Sequence, residues 1–191
     1  MHTIHHTRAV IIKSTPSKEA DKMFWLFSRE LGLVVAIATG IRKSGAKLKG
    51  QLVDYAFVDV DLVQGRDVWR LVSATEVHNP LEGNVTHPLA RAYVRTLATL
   101  ERFLIDEGVH EELFAHIVEC GEYFNHATVE AKIYDTLAIW RTLVHLGYIA
   151  VQENELGFFN IPFAQAVELI DEETRKRFIG LVNETITQTH L

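Results

Sequence analysis

One cysteine, four prolines and no apolar run long enough to span a bilayer set the first limits on this chain of 191 residues. Cys120 alone can form neither an internal disulfide nor a cysteine-based zinc site within one chain, and a reducing cytoplasm fits. The longest apolar run, Leu31 to Ala38, falls well short of the ~20 residues of a membrane helix. The polar, histidine-rich start carries no apolar stretch followed by a small-residue cleavage site. A soluble, unsecreted cytoplasmic protein without a membrane partner is therefore expected. No internal repeat, low-complexity tract or proline-rich linker breaks the chain. Its 48% hydrophobic and 23% charged residues are those of an ordinary folded protein.

Catalytic signatures are missing as well. There is no Gly-x-Ser-x-Gly elbow and no HExxH helix. The stretch Gly40-x4-Gly45-Ala46-Lys47-Leu48 approximates a phosphate-binding P-loop, but its lysine comes one place late. Leu48 also stands where a hydroxyl would ligate magnesium. These absences point to a protein without covalent chemistry or a cofactor. The histidines do not supply a metal site either. His2, His5 and His6 crowd the start ahead of any expected element, and His110 and His116 lie six positions apart, unlike an i, i+4 zinc pair.

One further absence is positive evidence. Between Glu30 and Asp54 no acidic residue occurs, and in that gap Arg42, Lys43, Lys47 and Lys49 are spread between Gly40, Gly45 and Gly50. Mobile cations without carboxylate competitors suit a phosphate backbone, because pairing releases condensed counterions; a solvated surface loop is the plainer alternative. The charge is divided along the chain. Residues 1–80 carry 11 Lys/Arg against 8 Asp/Glu, net +3, and residues 81–191 carry 8 against 17, net −9. A basic contact domain over 1–80 joined to an acidic, protein-binding domain over 81–191 is expected.

The first part reads as β-rich, since short apolar or alternating runs are divided by turn signals. Thr7 to Lys13 is expected as a strand, broken at Thr15-Pro16-Ser17; Met23 to Arg29 fits a strand or a short helix. Leu33 to Ile41 reads as a strand buried on both faces. Tyr55 to Val63 alternates, with Ala56, Val58, Val60 and Leu62 opposite Asp59 and Asp61. Gln64-Gly65-Arg66-Asp67 turns into Val68 to Val77, and His78-Asn79-Pro80 closes the series. Five such strands suit a small barrel. Its aromatics, Phe24, Trp25, Phe27, Tyr55, Phe57 and Trp69, either fill that barrel or stack bases beside the basic loop.

Helical spacing takes over after Asn84. Leu89, Tyr93, Leu97, Leu100 and Leu104 line one face. A second helix is expected over Glu111 to Phe124, and a third carries Ile133, Leu137, Trp140 and Val144 up to Gly147. After a short connection, Asp171 is placed to cap Glu172 to Thr187, with Phe178, Val182 and Ile186 facing the bundle. The fold class is thus α+β: a five-stranded barrel followed by an all-α domain.

The order Arg8-Ala-Val-Ile-Ile12, Ser17-Lys-Glu-Ala-Asp21, Leu26-Phe-Ser-Arg-Glu30, Gly32, Ala38-Thr-Gly-Ile-Arg-Lys43 and Leu48-Lys-Gly50 resembles the start of the RecO family of bacterial recombination mediators. Farther on, His145-Leu-Gly-Tyr148 is similar to the end of a family helix. The resemblance implies an N-terminal OB-fold that binds single- and double-stranded DNA, strand annealing, and recombinase loading with RecR. It also implies recognition of the acidic tail of single-stranded DNA-binding protein. Many members carry a four-cysteine zinc module after the Leu-Gly-Tyr position, where this chain has the cysteine-free stretch Ile149 to Asn160, so no zinc is expected. The expected DNA contacts are Arg42, Lys43, Lys47 and Lys49, with Lys18, Lys22, Arg29 and Arg66 as secondary candidates. Lys132 and Arg141 are the nearest cations for a partner tail. The competing class is an OB-type interaction adaptor without significant DNA binding.

Overall fold

A computed structural model describes residues 3–105, 108–125 and 130–189, which leaves His2 of the histidine cluster outside the described residues. The chain divides into two compact units, Met1–Glu82 with Asp106–Phe114, and Gly83–Ile105 with Ala115–Leu191. A contiguous split after residue 80 places Phe114 in the second unit. The structure places it in the first, where its buried ring lies 5.7 Å from that of Phe27.

Five strands make up the first unit among the described residues: β1 (Ile4–Pro16), β2 (Lys22–Ser28), β3 (Gly32–Ala38), β4 (Phe57–Gln64) and β5 (Trp69–His78). They close into a barrel in the order β1-β2-β3-β5-β4. Neighbours are antiparallel except β3 and β5, which run parallel through Ala36↔Trp69 and Ile37↔Arg70. Closure leaves no long open edge. Alternation sets the interior: Phe24 and Leu26 of β2, Val34, Ala36 and Ala38 of β3, and Val58, Val60 and Leu62 of β4 share one buried cluster.

Several elements differ from the sequence reading. β1 runs through Thr15 and Pro16 instead of breaking there. Pro16 is the last residue of the strand, where a missing N–H costs least. The strand also begins earlier, so His5 and His6 are part of the scaffold: His6 Nδ1 lies 2.5 Å from Asp61 Oδ1, and the His5 ring meets Trp69 edge-on at 5.1 Å. β2 resolves the choice of strand or helix in favour of strand. β3 is not buried on both faces; Leu33, Val35 and Ile37 alternate with the buried set and are half-exposed. Gly65 turns β4 into β5 so tightly that a Cβ there would come 2.2 Å from the Val68 carbonyl oxygen.

The second unit contains α1 (Pro88–Phe103), α3 (Ala131–His145), two short helices α4 (Leu156–Phe159) and α5 (Phe163–Leu169), and α6 (Glu172–Gln188). α2 (Glu111–Glu122) ends in a 3-10 turn, Tyr123–Asn125. Pro88 opens α1, and His87 Nδ1 accepts the Leu89 N–H at 3.2 Å. Leu89, Tyr93, Leu97 and Leu100 form the expected buried stripe. α3 packs against α1 and α6, with the Trp140 ring stacked at 4.0 Å on Phe178. Asp171 caps α6 through the Thr174 N–H at 2.7 Å. The stretch from Ile149 to Asn160, read as a plain connection, holds a 3-10 turn and α4. Buried Glu155 organises it by accepting the Gln152 N–H and pairing with Arg177 at 3.2 Å.

His116 is structural. It is buried, donates from Nε2 to the Ala138 carbonyl at 3.1 Å, and stacks on His145 with ring centroids 5.5 Å apart. Burial, with the nearby His145 and Arg141 charges, lowers its pKa to about 3, so it folds neutral. In the unfolded chain it titrates at its ordinary value of about 6.5. The stability this contributes is complete above that value and lost as pH falls toward 3, at about 1.4 kcal/mol per pH unit. Urea melts of wild type and His116→Gln between pH 7 and pH 4 should show the shallower acid loss in the variant. Equal slopes would refute the assignment.

Candidate nucleic-acid interface

The turn from β1 to β2, residues 17–21, and the turn from β4 to β5, around Gly65–Val68, are more than forty positions apart in sequence. They meet at one end of the barrel. Lys18 from the first, Arg66 from the second and Arg70 at the start of β5 line a cleft of about 550 Å³ together with Ile37 and Thr39 at the end of β3. The parallel pairing of β3 with β5 brings this about, because it sets Arg70 beside Ile37. None of these three cations is held in an ion pair among the described residues. Asp21 and Asp67 also line the cleft, so three cations face two carboxylates, a balance of +1. Asp21 is engaged in structure: its Oδ1 accepts the Gly40 N–H at 2.8 Å.

That hydrogen bond ties the base of the basic loop to the cleft. Arg42 strengthens the tie through its backbone N–H to Ala20 O at 2.9 Å and its guanidinium to Glu19 O at 3.1 Å. Gly40 has φ +70°, and the Lys43 side chain passes over it. Arg42 therefore braces the first turn, and neither Arg42 nor Lys43 is among the residues that line the cleft.

The remaining loop cations go elsewhere. Lys47 and Lys49 are exposed on a 3-10 turn, Lys47–Gly50, whose Leu48 packs against the barrel interior, as do Ile41 and Leu52 on either side. Gln51 Oε1 accepts the Glu76 N–H at 2.9 Å, which fastens this turn near the far end of β5 from Arg70. The loop is a plug over the barrel as much as a cationic arm, since apolar residues alternate with its lysines.

Lys22 stands at the start of β2 beside the first turn and donates to Ser14 Oγ at 3.0 Å. Arg29 does not join the set. It lies in the β2–β3 turn, 3.8 Å from Glu30, and the length of β2, about 20 Å at roughly 3.3 Å per residue, separates it from the cleft. Arg70 was not among the sequence candidates. Its signal was the Ile37↔Arg70 pairing, which no local pattern carries.

The two cations considered for a partner tail also diverge. Lys132 is exposed and pairs with Glu130 at 2.8 Å. Arg141 is buried, which corrects its expected surface role. Its Nε donates to Phe158 O and its Nη2 to Ile161 O, both at 2.8 Å, and Nη1 lies 3.7 Å from Glu119. Burial lowers its pKa, against the pull of Cys120 and Glu119. It knits α3 to the chain around α4 and offers nothing to a ligand.

Residues 1–80 match the family described as Recombination protein O N terminal. The chain resembles RecO. It is 27% identical to the DNA repair protein RecO of Synechococcus elongatus over 151 residues, 78% of this chain and 56% of the relative. Against DNA repair protein RecO of Clostridium perfringens the identity is 25% over 182 residues, 95% of this chain and 71% of the relative. Against that of Dehalococcoides mccartyi it is 36% over 122 residues, 64% of this chain and 48% of the relative. The chain thus spans about half the length of several RecO relatives that it matches. The cleft described above lies wholly inside the matched segment.

Proposed function

We propose that the first unit is an OB-type barrel that binds DNA through the cleft of Lys18, Arg66 and Arg70, within a recombination mediator of RecO type. One observation carries this reading: the β1–β2 and β4–β5 turns, the loops by which OB-folds hold oligonucleotides, come together here as a cationic cleft. The cations would pair phosphates of single- or double-stranded DNA without covalent chemistry, and Arg42 and Lys43 would extend the track. Annealing of complementary strands and recombinase loading with RecR, in the cytoplasm, follow from the resemblance. The net −9 of residues 81–191 supports a division in which that half meets proteins rather than DNA. With Arg141 buried, Lys132 is the one cation of the earlier pair left for the acidic tail of single-stranded DNA-binding protein.

A salt series with single-stranded and duplex oligonucleotides tests the reading. If about four phosphates are engaged, log affinity for single strands should fall against log salt with a slope of roughly −3, from roughly 0.7 per phosphate. Salt-independent affinity, or strong preference for one sequence, would reject the mechanism. No binding at all would favour the adaptor reading.

A further inference from the structure

Two walls of the barrel differ in chemistry. On the wall of β1, β4 and β5, a polar groove of about 390 Å³ is lined by the carboxylates Glu30, Asp59 and Asp61 together with Arg8, His6 and Thr75. Two of its carboxylates are paired, Asp59 with Arg8 through two hydrogen bonds of 2.9 and 3.2 Å, and Asp61 with His6. The wall of β2 and β3 carries no acidic residue from Lys22 to Ser28 or from Gly32 to Ala38. Because Phe24, Leu26, Val34 and Ala36 point inward, strand alternation turns Met23, Trp25, Val35 and Ile37 outward. Register sets Trp25 against Val35 and Met23 against Ile37, a continuous half-exposed apolar ladder. Ile37 belongs to both the ladder and the cationic cleft.

We propose that Trp25 is a base-stacking platform that gives this surface its preference for single-stranded over duplex nucleic acid. The inference rests on the cleft reading above and adds its strand selectivity. Phe24, Phe27 and Phe57 are buried, and Trp69 packs on the barrel interior. That leaves Trp25 as the outward aromatic of the β2–β3 wall. Lys13 Nζ lies over its ring, 4.5 Å from the centroid, which marks the ring face as one that accepts a cation and, by exchange, a flat base with its phosphate beside the ammonium. Charge complementarity selects the occupant: Lys13 sits at one end of the ladder and Lys18, Arg66 and Arg70 at the other, while the groove on the other wall sets three carboxylates against the one guanidinium of Arg8. A duplex keeps its bases stacked on one another and can use only the cations. An unpaired strand can use the ring as well.

The test uses the full chain, a fluorescein-labelled oligothymidylate and a duplex of the same length at one salt concentration. Trp25→Ala should weaken single-strand binding about tenfold and leave duplex binding and the salt slope near wild type, because stacking is lost and no phosphate contact is. Trp25→Phe should keep most of the affinity. Binding should quench the part of the tryptophan emission that Trp25→Phe removes. Thermal melts establish that both variants fold. Undiminished single-strand affinity in a folded Trp25→Ala protein overturns the proposal, as does an equal loss for both DNA forms. Lys18→Ala/Arg66→Ala/Arg70→Ala separates the two readings. A flattened salt slope there beside a silent Trp25→Ala sinks stacking alone, and an unchanged slope sinks the cleft as well.

Discussion

Replacing Lys18, Arg66 and Arg70 together with alanine is expected to reduce single-strand affinity on the order of 100-fold near 0.1 M salt and to flatten the salt slope from roughly −3 to roughly −1. Each cation lost leaves one phosphate with its counterions, so slope and affinity should fall together. Stability should hardly change, since Lys18, Arg66 and Arg70 are exposed and unpaired among the described residues. The location matters as much as the size. Arg29→Ala, at the other end of β2, removes one positive charge far from the cleft and should leave binding at wild-type strength. Lys47→Ala/Lys49→Ala should have a smaller effect than the cleft variant, because their turn is fastened near Glu76. If instead the loop variant abolished binding and the cleft variant did not, the DNA track would run over the plug of the barrel.

The second large effect concerns Arg141. Arg141→Ala should destabilise the second unit by about 3–5 kcal/mol, because the Phe158 and Ile161 carbonyls lose charged donors in a buried setting. At roughly 2–4 °C per kcal/mol for a chain of this size, the melting transition should fall by about 10 °C. Denaturant unfolding followed by far-UV circular dichroism measures it, and a loss under about 1 kcal/mol would show that the carbonyls find other donors. DNA binding by the first unit should survive in conditions where Arg141→Ala remains folded, which separates a structural role from a ligand-binding one.

Much of this molecule is written locally. The alternation of Val58, Val60 and Leu62 against Asp59 and Asp61 specifies a half-solvated strand, and the four- and three-residue steps from Leu89 to Leu100 specify a helix with one buried face. Asp171 specifies a cap, since a carboxylate ahead of a helical run satisfies an orphan N–H. The acid-free stretch beginning after Glu30 likewise announced a cation-rich surface.

What the sequence by itself determined is therefore the succession of strands and helices, the charge division and the neighbourhood of the loop cations, because each depends on residues close in the chain. Tertiary structure decided which cations act together. Lys18 and Arg66 meet only because the barrel closes in the order β1-β2-β3-β5-β4, and Arg70 joins them only through the parallel pairing with Ile37. Arg141 reads as a surface charge until α3 folds against the chain around α4 and its guanidinium finds two backbone carbonyls. Trp25 and Phe24, adjacent in sequence and alike in hydrophobicity, part company because the pleat sends one outward and the other into the core. Pairing partners and burial are properties of residues distant in the chain, so no local pattern can carry them.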